Sequence, residues 1–466
     1  TELTHGAYHL MCHAAPDYLK SICLPKMVAG EWSGTMCLTE PHSGTDLGLL
    51  NTKATDNGDG SYAINGTKIF ITSGDHDLTE NILHMVLARL DGAPEGARGI
   101  SLFLVPKYRF DADGTVGEAN GVITGSIEHK MGIKASATCV LNFDNAQGYL
   151  LGAENRGLAA MFKMMNIERI TVGIQGLGFA EAAYQNAVAY AQERTQSKAP
   201  PPRPDPSKAA DPIIYQPDIR RKLLTMRSQN EGGRILAVFA GLHTDLMEKA
   251  QDEGERDKAA DVVALLTPVI KSYLSDLGVK NALEAQQVFG GHGYIREHGM
   301  EQLVRDARIA PIYEGTNEVQ AVDLVMRKLT AREGQMADGF FNELEGSLAA
   351  REGRSSLSAF TEPALQALSG LREATAWIRD QITSDPAVAA GAATDYQRMF
   401  ALTVIAGLWA QVIASIDEKQ GDFYDTKRKL ARFYMENVLP EATTLGRVVM
   451  QGGGSLADFE TRRFES

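Results

Sequence analysis

Three short segments hold the residues whose types and spacing could do chemistry. The last is Ile309-Ala-Pro-Ile-Tyr-Glu-Gly-Thr-Asn-Glu-Val-Gln320, where Pro311 and Gly315 interrupt two helical patterns and leave Glu314 on a short non-helical stretch. A carboxylate flanked by Ile312 and Tyr313 is partly desolvated, which raises its pKa and makes it a usable base near neutral pH. The bland reading of the same residue is a Glu at a helix N-terminus. The middle segment is Gln286-Gln-Val-Phe-Gly-Gly-His-Gly293, whose glycines end a helix and permit close backbone approach. No strand precedes it, so it is not a dinucleotide turn, and His292 has no partner at metal-ligand spacing.

The first segment, Met36-Cys-Leu-Thr-Glu-Pro-His-Ser-Gly-Thr-Asp-Leu-Gly48, joins a strand to a tight turn. Such a turn offers N–H and hydroxyl donors to a small polar or anionic ligand, although a plain polar turn after a buried strand reads the same way. In Lys68-Ile-Phe-Ile-Thr-Ser-Gly74, Phe70 is a stacking platform or a core residue, and the segment alone favours core.

The elements that must position these groups change period along the chain. Residues 1–30 are helical in spacing, divided at Pro16. From 31 to about 152 the runs are short and alternating, with strands predicted at 82–90, 100–106, 126–133 and 138–143. Asn65-Gly66 between alternating residues predicts a hairpin. A long amphipathic helix begins near 154 and ends near Arg194. Residues 196–217 form a Pro-rich break, read as a loop or flexible insertion. Helices follow at about 218–251, 257–289 and 318–332. The fold class is therefore α+β and multidomain: a central antiparallel β-barrel or sandwich (31–152), an α-helical bundle (153–334) and a further C-terminal helical region (335–466).

Composition narrows the function classes. The 466 residues carry 46 Lys and Arg against 59 Asp and Glu, a net charge of −13 that disfavours nucleic acid and anionic membranes as partners. Four scattered cysteines imply neither a metal cluster nor a disulfide framework and suit a reducing, cytoplasmic compartment. No uninterrupted run of eighteen apolar residues predicts a membrane span. The start at Thr1, with no initiator Met and no targeting segment, reads as an incomplete N-terminus.

The three segments occur in an order that resembles the acyl-CoA dehydrogenase family. The matching strings are Leu38-Thr39-Glu40-Pro41 through Gly44-Thr45-Asp46, Lys68-Ile-Phe70-Ile-Thr72, Gly290-Gly291-His292-Gly293, Arg305-Asp306 and Tyr313-Glu314-Gly315-Thr316. The resemblance covers about 1–335. The long C-terminal extension, the Pro-rich insertion and Pro217-Asp-Ile-Arg-Arg221 look most like the branch that includes methylthiopropanoyl-CoA dehydrogenases.

The resemblance implies that 1–30 is the remnant of an N-terminal helical domain. It places FAD between the β domain and the helical bundle, with Met36, Leu38, Thr39, Gly44 and Thr45 at the flavin and Phe70 and Thr72 packing on it or bonding to it. Most members carry Trp where Phe70 stands. Thr316 and Glu318 would lie near the adenine half or the pyrophosphate, while Arg194, Gln287 and Gly291 would reach the FAD of a neighbouring subunit in a homodimer or dimer of dimers. Thr45, Asn166, Arg169 and Gly315 would contact the acyl-CoA substrate, although the family usually has Asp at the position of Asn166. Glu314 matches the catalytic carboxylate. It would take the α-proton while the β-hydrogen leaves as hydride to the flavin, giving a trans-2-enoyl-CoA, with electrons passed to an electron-transfer flavoprotein. An oxidase reoxidised by O2 and a catalytically silent scaffold on the same fold are the rival readings.

Overall fold

The computed structural model describes residues 2–351 and 353–465. Thr1, Glu352 and Ser466 lie outside them. The chain forms two compact units, Thr1–Thr171 and Val172–Ser466.

The first unit opens with two helices, α1 (Glu2–Ala14) and α2 (Asp17–Ala29). Pro16 sits just before α2 at φ −65°, where its missing N–H leaves no helical bond unmade. Among the described residues nine strands follow: β1 (Trp32–Cys37), β2 (Lys53–Asp56), β3 (Tyr62–Thr72), β4 (Asn81–Leu90), β5 (Ile100–Pro106), β6 (Tyr108–Phe110), β7 (Val116–Ala119), β8 (Val122–Ile127) and β9 (Thr138–Leu151). Pairings β4–β2–β3–β9–β5 and back to β4 close a ring. The ring is antiparallel except where β2 meets β4, and β1 joins β4 in parallel. β6 and β7 form a separate ribbon.

Alternation along β4 explains the closure. Val86 and Ala88 pack inward with Phe103, Val105, Cys139 and Leu141. Leu83, Met85 and Leu87 pack on the other side with Leu10, Met11 and Leu19 of the two helices. Both faces of the strand are thus buried.

The predicted hairpin at Asn65-Gly66 does not form. β3 runs straight through both residues and pairs with β9, with a bulge between Ile64 and Gly66. Two contacts explain this. A Cβ on Gly66 would lie 2.5 Å from Thr52 Oγ1, so the glycine serves close packing. The Asn65 side chain bonds across to Asn145, accepting from its N–H at 2.9 Å and donating to its Oδ1 at 3.2 Å. The strand expected at 126–133 instead covers Val122–Ile127, and that expected at 138–143 continues to Leu151.

His84 is fully buried in this barrel, with Nδ1 2.7 Å from the Thr35 hydroxyl. Burial pulls its pKa down to about 3. The unfolded chain therefore binds a proton that the folded chain refuses between about pH 6.5 and 3. Stability is fully present above pH 6.5 and falls by about 1.4 kcal/mol per pH unit below it. His84→Gln should remove that share of the acid sensitivity between pH 7.5 and 5, read by urea unfolding at each pH.

The second unit is helical. The boundary falls within α3 (Gly157–Glu193), which is followed by α4 (Pro217–Lys249), α5 (Glu253–Phe289), α6 (Met300–Ala307) and α7 (Asn317–Asp323). The helix expected over 318–332 stops early: α7 gives way to a π-helical turn, Leu324–Lys328, and then to positive φ at Arg332 and Glu333. Among the described residues six more helices follow: α8 (Gln335–Ala349), α9 (Ser358–Ser384), α10 (Pro386–Gly391), α11 (Ala393–Ser415), α12 (Asp422–Asn437) and α13 (Pro440–Ala457). The larger of its cores runs from Leu177 through Leu274, Leu324 and Phe341 to Trp409 and Val449, and a smaller one gathers Ala187, Met226, Val288 and Met300.

α5 with the turn that follows it (Glu253–Tyr294) and α11 (Ala393–Ser415) are, by length and composition only, long and apolar enough to cross a membrane. They are 83% and 72% buried inside the protein over their most apolar stretches and build this core. Isolated polar residues broke the uninterrupted apolar run without lowering its mean hydropathy enough.

The Pro-rich insertion is braced, not loose. Asp211 is fully buried and accepts from the Arg203 guanidinium at 2.8 Å and from Ala199 N–H at 2.8 Å. Arg203 also donates to the carbonyls of Pro206 and Lys208.

Candidate active site

Within the first unit the Thr-Glu-Pro turn is anchored from below. Glu40 is 3% exposed and Lys68 not at all, and they pair at 2.8 Å. Lys68 Nζ also donates to Leu38 O at 3.0 Å, and Ile69 N–H donates to Thr39 O at 2.9 Å. Glu40 further accepts from Asn51 N–H, Thr52 N–H and the Thr52 hydroxyl. Burial would raise its carboxyl pKa, but the Lys68 charge and these donors hold it below the ordinary range. Lys68 itself is pulled down by burial, against the attraction of Glu40.

This pair explains Phe70. Strict alternation would put Lys68 and Phe70 on one face. A second irregularity in β3, between Lys68 and Ile71, turns Phe70 to φ 60° and leaves it 60% exposed. The core reading of Phe70 is thus overturned: its ring lies on the surface of the unit, beside the strand end that carries Leu38 and Thr39. Met36 is half-buried and Leu38 buried. Gly44 and Thr45 are exposed at the turn tip, where the Ser43 hydroxyl donates to Asp46 O at 2.7 Å. Among the described residues, no side chain or backbone group engages the hydroxyls of Thr39, Thr45 or Thr72. On α3, Asn166 is exposed and Arg169 is 9% exposed, its guanidinium 5.9 Å from the centre of the Phe162 ring.

In the second unit, Glu314 stands on the loop between α6 and α7 at φ 57°, followed by Gly315 at φ 81°. A left-handed non-glycine residue costs roughly 1–2 kcal/mol. The loop is closed around it: Asn317 N–H donates to Pro311 O at 3.0 Å and Gln320 Nε2 to Glu314 O at 3.2 Å. A Cβ on Gly315 would come within 2.6 Å of that amide and would have to adopt φ 81°, a conformation that favours glycine. The Tyr313 hydroxyl donates to Gln175 Oε1 at 2.5 Å. Glu314 is half-buried.

Beside this loop, Thr316 and Glu318 line a cavity of about 530 Å³ with Asp276, Lys280, Leu283 and Arg308. Thr316 caps α7, its hydroxyl accepting from Val319 N–H. The backbone N–H and the Thr316 hydroxyl hold the Glu318 carboxyl below its ordinary pKa. An ionised Glu318 accepts hydrogen bonds from hydroxyl or amine groups, while Arg308 and Lys280 supply positive charge.

Arg194, Gln287 and Gly291 do not line that cavity. They stand at the ends of α3 and α5, which meet where Tyr190 stacks on Phe289 at 4.1 Å and the Tyr190 hydroxyl lies 2.9 Å from His292 Nδ1. All three are exposed, and among the described residues none bonds the Arg194 guanidinium. Gln287 is eleven residues beyond Asp276 on α5, about 16 Å along the axis at 1.5 Å per residue.

Sequence reasoning missed the buried polar groups beneath these surfaces. Lys271 is fully buried on α5 and donates to Asn317 Oδ1 at 2.8 Å. It is the lone cation between Val262 and Gly278, and that isolation was the available signal.

Taken unit by unit, these groups suit a flavin nucleotide: the first carries an exposed ring and unengaged hydroxyls, and the second a cavity of nucleotide-fragment size with both charge signs. Residues 35–146 match the acyl-CoA dehydrogenase middle domain, 155–329 its C-terminal domain, and 340–460 an acetyl-CoA dehydrogenase C-terminal-like domain. The chain belongs to the acyl-CoA dehydrogenase family.

Within the family it falls in the branch of the 3-methylmercaptopropionyl-CoA dehydrogenase of Ruegeria pomeroyi, to which it is 47% identical over 72% of this chain and 57% of that protein. The chain thus spans less than two thirds of that relative's length. It is 36% identical to a butyryl-CoA dehydrogenase of Syntrophomonas wolfei, over 94% of this chain and 74% of that one. The fold matches that of Caenorhabditis elegans ACDH-11, solved with C11-CoA, with a TM-score of 0.79 at 24% identity over 94% of this chain and 71% of that one.

Proposed function

We propose that the chain carries out α,β-dehydrogenation of an acyl-CoA thioester with FAD, Glu314 taking the α-proton. The observation that supports this most is the Glu314 loop: one half-buried carboxylate, held at φ 57° by a closed set of hydrogen bonds, in the matched C-terminal domain.

FAD, when bound, supplies the acceptor for the two electrons that leave with the β-hydrogen. The chain's residues do the rest. Met36, Leu38, Thr39, Gly44, Thr45, Phe70 and Thr72 would hold the flavin. Thr316 and Glu318 would hold the nucleotide half, with Glu318 accepting from hydroxyl groups and not facing phosphate. Arg194, Gln287 and Gly291 would serve a second subunit's cofactor, since a guanidinium suits pyrophosphate. Asn166, Arg169, Thr45 and Gly315 would contact the acyl-CoA.

A thioester α-proton is too weakly acidic for a carboxylate alone, so the Glu314 backbone N–H would donate to the thioester oxygen and stabilise the enolate. Short acyl groups head the substrate list, because the two named relatives act on methylmercaptopropionyl-CoA and butyryl-CoA. Electrons would pass to an electron-transfer flavoprotein.

Anaerobic mixing of the FAD-loaded protein with acyl-CoAs from four to sixteen carbons tests this. The flavin absorbance should bleach with the short members. No bleaching with any member overturns the reading, and peroxide formed in step with substrate loss under air overturns the acceptor.

Phe70→Ala should leave the first unit's stability within about 0.5 kcal/mol, because the ring is exposed. The FAD dissociation constant should rise about 2–10-fold through lost stacking, measured by flavin fluorescence titration.

A further inference from the structure

Holding Glu314 and Gly315 at successive positive φ requires an anchor, and the residue that supplies it lies three positions on. Asn317 is 5% exposed. Its Oδ1 accepts from Lys271 Nζ at 2.8 Å and Ser275 Oγ at 3.2 Å. Its Nδ2 donates to Asp276 Oδ1 at 2.7 Å, Ser275 Oγ at 3.0 Å and Ser272 O at 3.2 Å. Its backbone N–H closes the loop onto Pro311 O. One amide therefore ties the Glu314 loop to a full turn of α5. Lys271 and Ser275 are themselves fully buried, so the seat is rigid.

The C-terminal helices support that seat from behind. α11 packs on both α5 and α7, and Gln397 Nε2 donates to Pro268 O at 3.1 Å. Arg398 is held by Glu441 through two bonds of 2.5 and 3.0 Å. Burial raises the Asp276 carboxyl above its ordinary pKa, against the pull of Asn317, Arg398 and Lys271.

We propose that Asn317, seated on Lys271 and Asp276, is a positioning residue that sets the Glu314 carboxylate against the substrate's α-carbon. This rests on the reading of Glu314 as the base. A misplacement of the order of 1 Å slows such a step about 10²-fold.

The test uses the FAD-loaded full chain in D2O with 3,3-dimethylbutanoyl-CoA. This thioester has α-hydrogens but none on the β-carbon, so deuterium uptake reads proton transfer alone. FAD content and thermal midpoint are measured on each variant to report binding and folding.

Asn317→Ala should exchange about 10²-fold more slowly with FAD content unchanged. Asn317→Asp sets two carboxylates together, faced by Lys271 and Lys280 on α5, Glu318 on α7 and Arg398 on α11. They share a proton at low pH and repel once both ionise, so exchange should fall as pH rises. The double variant Asn317→Asp with Asp276→Asn restores one donor and one acceptor and should recover both the rate and the flat pH profile. A purely structural role would not produce that reciprocal rescue.

Exchange at the wild-type rate in Asn317→Ala or Asn317→Asp, or a double variant no better than Asn317→Asp, overturns the positioning role. If Asn317→Ala does not fold, the two Asp variants decide. Wild-type protein that neither exchanges nor bleaches overturns the reading of Glu314 instead.

Discussion

Glu314→Gln should give a folded, flavin-containing protein whose turnover is ~10²–10⁴-fold below wild type, the usual contribution of a positioned general base. Folding should survive because the bonds that close the loop use the backbone of residue 314: Gln320 Nε2 donates to its carbonyl, and Asn317 N–H closes onto Pro311. The neutral amide keeps the size of the side chain and removes only its basicity. Stopped-flow bleaching with butyryl-CoA measures the loss directly. Retained full activity would remove Glu314 from the chemistry while leaving family and fold untouched.

Glu40→Gln should cost the first unit about 3–5 kcal/mol, because it leaves the Lys68 ammonium buried without its counter-charge. The amide oxygen can still accept from Thr52 and Lys68, so the loss reports charge more than shape. Urea unfolding followed by Trp32 fluorescence isolates this unit in a background carrying Trp377→Phe and Trp409→Phe, since those two lie in the second. The double variant Glu40→Leu with Lys68→Met should recover most of the loss, as apolar replacement of a buried pair is often neutral or better. The sign with pH follows from the Glu40 carboxyl being held low. Its contribution is present above the ordinary carboxylate pKa and is lost as pH falls through the depressed value. The variant's stability should therefore fall less steeply in acid than that of wild type. FAD affinity should drop with it, because Lys68 also fixes the Leu38 carbonyl.

Much of the molecule was legible from local pattern. Pro16 marked the break between the first two helices, and the strand at 100–106 was predicted with its observed bounds. The non-helical setting of Glu314 followed from Pro311 and Gly315, because ring closure and a missing Cβ act on their own residues. Helix 257–289 was visible from its apolar spacing, and the structure adds only the capped first turn at Asp252. The pattern failed where a distant group overrode a local preference. Asn65-Gly66 carries the composition of a hairpin turn, yet Thr52 and Asn145 hold it inside a strand. Arg203 and Asp211 brace a loop whose prolines suggest looseness.

The sequence by itself carried the order of the elements, the family and the proposal of Glu314 as the base, since these depend on types and short spacings. Only the tertiary structure decided which way Phe70 faces, because a one-residue irregularity in a strand reverses a side chain without altering composition. It alone revealed the seat of Asn317, forty-six residues from Lys271, because a buried cation and its amide partner satisfy each other through space and leave no periodic trace along the chain.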